Sequence, residues 1–149
     1  MKVRRVNRYY CDFCKKSGCA AGHMKKHEKH CTLNPDRVCR MCQALEQPQP
    51  DLQPAIELLP NSRDFKTDYS DHYGTWTRYD KLPAALAAAM PGVRDLTSGC
   101  PVCLFSAIRR RGLMANGQLV QIVKEAGFDF KKELESTWGD INSERECAY

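Results

Sequence analysis

Six of the chain's nine cysteines stand in three C-x-x-C pairs: Cys11/Cys14, Cys39/Cys42 and Cys100/Cys103. Two thiols at that separation can turn toward a single point, so the spacing constrains the fold more tightly than any hydrophobic pattern does. Oxidised bridges are the competing use of paired cysteines. The first residues, MKVRRVNRYYC, are basic with no apolar segment behind them, and the longest aliphatic run, Ala84 to Met90, is far too short to cross a bilayer. The expectation is therefore an uncleaved cytoplasmic protein with no membrane association, whose thiols stay reduced and favour metal over disulfides.

Between Tyr9 and Cys31 the chain offers seven metal donors for a site that takes four. The pattern C-x2-C-x12-H-x3-C selects Cys11, Cys14, His27 and Cys31. A tight knuckle supplies two sulfurs, the chain turns back, and a helix presents two donors four residues apart on one face. His23, one turn earlier, competes with His27, and His30 adjoins Cys31; Cys19 reads as a small buried or free thiol. Tyr9 and Met24 stand where a small ββα unit keeps its core. The stretch resembles a single finger of the C2H2 class in its C2HC form, over about 25 residues. It departs where Gly18 replaces the large buried aromatic of such fingers, with Phe13 as the candidate substitute.

The second site follows by completion. Cys39/Cys42 has one matching pair, Cys100/Cys103, and four sulfurs in two knuckles make a closed structural zinc site across a long excursion. Two separate half-sites, or a metal shared between chains, are the competing arrangements. A helical pattern begins at Cys103, as in treble-clef and zinc-ribbon proteins where the last knuckle opens a helix. Cys147, near the terminus, is left as a free thiol. The expected cofactor is Zn2+, two per chain.

The remaining pattern is mainly helical. Residues 46–60, EQPQPDLQPAIELLP, read as an extended linker or surface loop, and residues 61–80 as irregular strands or a cover for zinc. Leu82, Leu86 and Met90 recur at helical spacing, with Pro83 in the first turn and Pro91 as the stop. Leu104, Phe105 and Ile108 give one helix its apolar face, with Arg109, Arg110 and Arg111 over the remainder. Leu119, Ile122, Val123 and Ala126 give a second stripe ended by Gly127. Asp129 caps a third helix carrying Phe130, Leu134 and Trp138. The fold class is thus a small zinc-stabilised α+β chain, in two parts. Residues 1–34 form a basic arm and ββα-like finger; residues 35–149 form a treble-clef or ribbon-like four-cysteine body with C-terminal helices and the 46–60 excursion.

Charge is concentrated at the N-terminus, where residues 1–42 hold eleven Lys/Arg against three Asp/Glu. Thiolate zinc sites lower the formal +5 of the whole chain to about +2, yet the N-terminal segment stays strongly positive. The finger resemblance implies that Ala20, His23 and Lys26 face a groove, with Lys25 and Lys29 near phosphates, while Lys2, Arg4, Arg5 and Arg8 form an arm. The order of the finger, "NPDRVC", a "CPVC" knuckle and an "FDFKKEL" ending also resembles uncharacterised zinc-finger proteins of tailed phages and prophages. That resemblance implies a small accessory or host-takeover protein in a host cytoplasm, and no activity.

Three functions are therefore expected in order. The first is nucleic-acid binding through the basic finger, DNA ahead of RNA. A protein–protein adaptor or inhibitor of a host enzyme, or a virion component, uses the zinc sites only structurally. A ββα-metal nuclease ranks last, because His72 is the lone candidate base and both zinc ions would be fully ligated. No enzyme and no small-molecule substrate are expected.

Overall fold

The computed structural model describes Met1 and residues 5–147, with side chains described through Glu144. The expected contacts of Lys2 and Arg4, and the thiol of Cys147, lie outside the described residues. The chain begins with a hairpin too short to stand alone. Strand β1 (Tyr9–Tyr10) pairs antiparallel with β2 (Ser17–Gly18), and helix α1 (Ala21–His30) follows. Lys15 closes the turn between the strands at φ 61°, a left-handed conformation that costs a non-glycine residue about 1 kcal/mol. The strands hold because Cys11 N–H donates to Lys16 O at 2.8 Å, and because Met24, 7% exposed, packs with Cys11 and Cys31.

This small core differs from the expected one. Tyr9 is exposed and Phe13 is 39% exposed, so no aromatic fills the space opposite Gly18. Met24 fills it instead, with its Cε 3.7 Å from where a Gly18 Cβ would stand. An unbranched thioether reaches such a gap without a ring. Leu33 packs against the same cluster.

Helices α2 (Arg40–Ala44), α3 (Gln53–Leu58), α4 (Leu82–Leu96), α5 (Pro101–Arg110), α6 (Gly117–Glu125) and α7 (Phe130–Cys147) make up most of the rest. Between α3 and α4 a 3-10 turn (Ser62–Phe65) leads into an antiparallel hairpin, β3 (Thr67–Asp71) with β4 (Gly74–Arg78), in register Tyr69↔Trp76. The described residues therefore form a small α+β chain of seven helices and two two-stranded sheets.

One core joins the helices. Leu82, Leu86, Met90 and Val93 of α4 meet Leu104, Ala107 and Ile108 of α5, Leu119, Ile122 and Val123 of α6, and Ala55 and Ile56 of α3. Asn116 Oδ1 accepts from Leu119 N–H at 2.9 Å and caps α6, and Asp129 Oδ1 accepts from Lys131 N–H at 3.1 Å and caps α7. Gly127, at φ 91°, ends α6 by turning Phe128 N–H back onto Val123 O. Helix α7 is held by Phe130 stacked on Phe105 at 4.0 Å and by Arg94, which donates to both Glu133 carboxylate oxygens.

Two local expectations are corrected. The 46–60 segment, expected as an extended linker or surface loop, holds helix α3 over Gln53–Leu58: Pro54 lies in its first turn, where a missing N–H costs nothing, and Leu52, Ala55, Ile56 and Leu59 are buried. Pro91 does not end α4, which runs five residues further. An internal proline costs about 3 kcal/mol or more, and the extension answers it by burying Val93 and bringing Arg94 to Glu133.

Candidate metal centres

Two clusters of donor atoms form, each with its four atoms within 4.8 Å of one another: Cys11, Cys14, His27 and Cys31, and Cys39, Cys42, Cys100 and Cys103. Both sets match the spacing argument, and the two distant C-x-x-C pairs meet within the one chain. The sulfur separations are too long for disulfides and fit the span of a tetrahedral site. Cys39 Sγ lies 3.7 Å from Cys100 Sγ, and Cys42 Sγ 3.5 Å from Cys103 Sγ. A disulfide requires about 2.05 Å. The edge of a tetrahedron with zinc–sulfur bonds of about 2.3 Å is roughly 3.8 Å. The eight cysteines with described side chains are all free thiols, and either cluster could hold a zinc ion.

In the first centre the β1–β2 turn supplies Cys11 and Cys14, α1 supplies His27, and Cys31 is the residue just past that helix. His27 turns Nε2 to Cys14 Sγ at 3.1 Å, which assigns Nε2 as its metal-facing atom. Burial tends to raise Cys14, but the Lys16 N–H, the neighbouring thiols and the Arg109 charge outweigh it and hold this thiol below its ordinary range. Burial pushes Cys31 up to about 11. The competing histidines are placed elsewhere. His30 Nδ1 pairs with Val38 O at 2.8 Å, and His23 is exposed; Cys19 is also exposed and outside the cluster.

The second centre sits within the main core, with all four cysteines buried. Cys39 is the N-cap of α2 and Cys100 the N-cap of α5, so Cys42 and Cys103 lie in first helical turns. Helix α5 thus opens at Pro101, two residues before the pattern suggested. Both pairs sit at helix N-termini, whose positive dipole ends favour thiolate. Hydrogen bonds from Cys100 and Cys103 hold Cys39 far below the thiol range, while hydrogen bonding to Cys100 and Cys39 pushes Cys103 far above it. Without a cation the four sulfurs cannot all ionise together. A zinc ion removes that conflict.

Around the second centre stand residues with no sequence signature. Arg37, only 3% exposed, points Nη1 at Cys103 Sγ at 3.7 Å, and its charge also favours the Cys39 thiolate. Gln49 accepts from Cys39 N–H at 2.5 Å and donates to Arg37 O at 2.8 Å, while Gln47 Nε2 lies 3.9 Å from Cys42 Sγ. The proline-rich segment therefore wraps the metal site. A zinc ion with four thiolates carries a formal charge of about −2, which a buried guanidinium partly neutralises.

The two centres are tied to each other. Val38 N–H donates to Lys29 O at 2.8 Å, Ser106 Oγ to Thr32 O, and Arg109 Nη1 to Thr32 Oγ1 at 2.7 Å. Helix α5 thus meets the second centre at its start and the loop after the first centre near its end. Of the expected polyanion contacts, Arg5, Arg8, His23, Lys25, Lys26 and Lys29 are all exposed. His72 belongs to neither cluster; it occupies the β3–β4 turn against Tyr73. A scan against protein-family models and searches of curated proteins and of solved structures found no match.

Proposed function

We propose that the chain is a two-zinc protein that grips the phosphate backbone of nucleic acid through α1 and the basic segment before it. One observation carries this reading. Helix α1 hangs on the first centre by His27, with His23, Lys25, Lys26 and Lys29 all exposed, no side-chain N-cap and no acidic residue in its first turn. An open helix N-terminus favours phosphate, and lysines three and four residues apart follow a backbone. The order β1–β2–α1 is that of a ββα finger, whose helix enters a major groove; the B-form groove admits one and the A-form groove of RNA does not, so DNA comes first. Only His23 and Lys26 could donate to a base edge, so sequence readout would be thin. Four protein donors would fill each zinc tetrahedron, leaving no position for an activated water. Both centres are accordingly structural, and the protein is not an enzyme. The resemblance to phage zinc-finger proteins supplies a setting: an accessory protein in a host cytoplasm.

Fluorescence anisotropy of the zinc-loaded chain on a labelled duplex tests this across 50–200 mM salt. With four to six phosphates neutralised, the logarithm of affinity should fall against that of salt with a slope of roughly −4 to −5. Lys25→Gln with Lys26→Gln should flatten the slope by about 2. Absence of binding at the lowest salt removes the reading.

A second reading, a protein adaptor, is favoured by the β3–β4 hairpin. It is exposed along nearly its whole length, with Tyr69 stacked on Trp76 and Tyr73 87% exposed at its turn. Exposed aromatics of this kind anchor interfaces. Partners that survive nuclease treatment in a pull-down would select this reading over the first.

A further inference from the structure

Three arginines that no metal centre uses converge on one cavity of about 430 Å³, lined by Arg63, Arg110, Arg111, Asn61, Asn116 and Tyr79 among others. No Asp or Glu lines it, and none of the three guanidinium groups makes an ion pair among the described residues. Bringing three positive charges together without a counter-charge is unfavourable unless something anionic joins them.

The remaining lining deepens that imbalance. Asn61 Oδ1 is occupied by Arg63 N–H at 3.1 Å and Asn116 Oδ1 by Leu119 N–H at 2.9 Å. Each asparagine therefore has its amide N–H groups left to offer. Arg111 Nε is buried without a hydrogen-bond partner, a condition shared among the described residues only with Arg37 Nε at the second metal centre. At Arg37 another nitrogen of the same guanidinium, Nη1, points at Cys103 Sγ. At Arg111 no carboxylate or other acceptor of the described residues meets the guanidinium, and an N–H left unpaired is a costly feature.

We propose that this cavity binds the phosphate group of a phosphorylated ligand of about nucleotide size. Guanidinium forks match phosphate oxygens two at a time, and the amide donors complete a cradle with no competing acceptor charge. The volume is within the ordinary range for small-molecule sites, roughly 300–1,000 Å³. Ile56, Leu119 and the ring of Tyr79 supply an apolar floor for the rest of the ligand. The site stands apart from α1: it lies where the end of α5 meets the start of α6 and the 3-10 turn.

Titration calorimetry on the zinc-loaded full chain at low salt tests it, with three probes: inorganic phosphate, adenosine 5′-monophosphate, and a single-stranded DNA 12-mer lacking terminal phosphates. Saturable phosphate binding is expected, tighter with the mononucleotide. Arg63→Gln, at an exposed position that should leave folding intact, should weaken both about tenfold or more. Arg111→Lys, which keeps charge but loses the fork, should weaken both to a lesser degree. Lys25→Gln with Lys26→Gln should change neither, which separates this site from nucleic-acid binding by α1. If the 12-mer instead shows the loss with Arg63→Gln, the same cradle takes its phosphate from a strand. Failure of all three probes to bind in an Arg63-dependent manner, with circular dichroism and zinc content unchanged, overturns the proposal.

Discussion

Arg37 brings a positive charge into the core, where among the described residues no carboxylate pairs with it and Nη1 points at Cys103 Sγ. Groups that hydrogen-bond to metal ligands commonly govern affinity by 10–100-fold when removed. Arg37→Met should accordingly weaken zinc at the second centre by about that factor and affect the first much less, as read by competition with a chromophoric chelator. Equal loss at both centres, or none, would contradict this role. Cys31 makes a different prediction. Burial pushes it up to about 11, so at neutral pH the metal-free site holds a thiol and zinc must displace its proton. The bound state then carries fewer protons, so affinity rises with pH and falls on acidification. Calorimetry in buffers of differing ionisation enthalpy should detect protons released on zinc binding; a pH-independent affinity between 6 and 8 would contradict it. The two donor clusters were legible in the sequence because C-x-x-C spacing is local and repeated, with His27 and Cys31 four residues apart completing the first. Arg37 was not, because a buried arginine beside sulfur leaves no periodic trace.

Helix α4 shows where a sequence rule yields to packing. Pro91 reads as a stop, since its ring opposes the carbonyl four residues back and it donates no hydrogen bond. The helix continues because Val93 and Arg94 gain partners beyond it. Pro91→Ala should therefore stabilise the chain by about 1–3 kcal/mol in chemical denaturation, while Arg94→Gln should destabilise it by about 1 kcal/mol by releasing Glu133. A destabilising Pro91→Ala would contradict this account of the helix. Helix α6 was legible from its apolar stripe and α7 from its stripe and the Asp129 cap, and the structure has both; the Asn116 cap of α6 emerged only in the structure. Helix α3 was hidden because its proline stands at a position where proline begins a helix as readily as it breaks one. The β3–β4 hairpin has no buried face to impose alternation, so its residues carried no strand signal beyond aromatic content.

At the scale of the molecule, the second metal centre joins residues 61 positions apart and stands inside the hydrophobic core. The first centre organises a segment whose apolar core is Met24, Leu33 and the cysteines themselves. Metal should thus contribute to folding directly, and chelation should unfold the N-terminal segment before or together with the body. Helix α5 touches both centres through Cys103 and through the Thr32 contacts of Ser106 and Arg109, so loss of one centre should lower the stability of the other. The metal content of purified protein, measured by elemental analysis beside native mass, addresses the whole account. Two zinc ions per chain are expected for the wild type, with one remaining in Cys14→Ser and one in Cys39→Ser. A metal-free, fully folded chain, or one whose mass reveals bonded sulfurs, would contradict it.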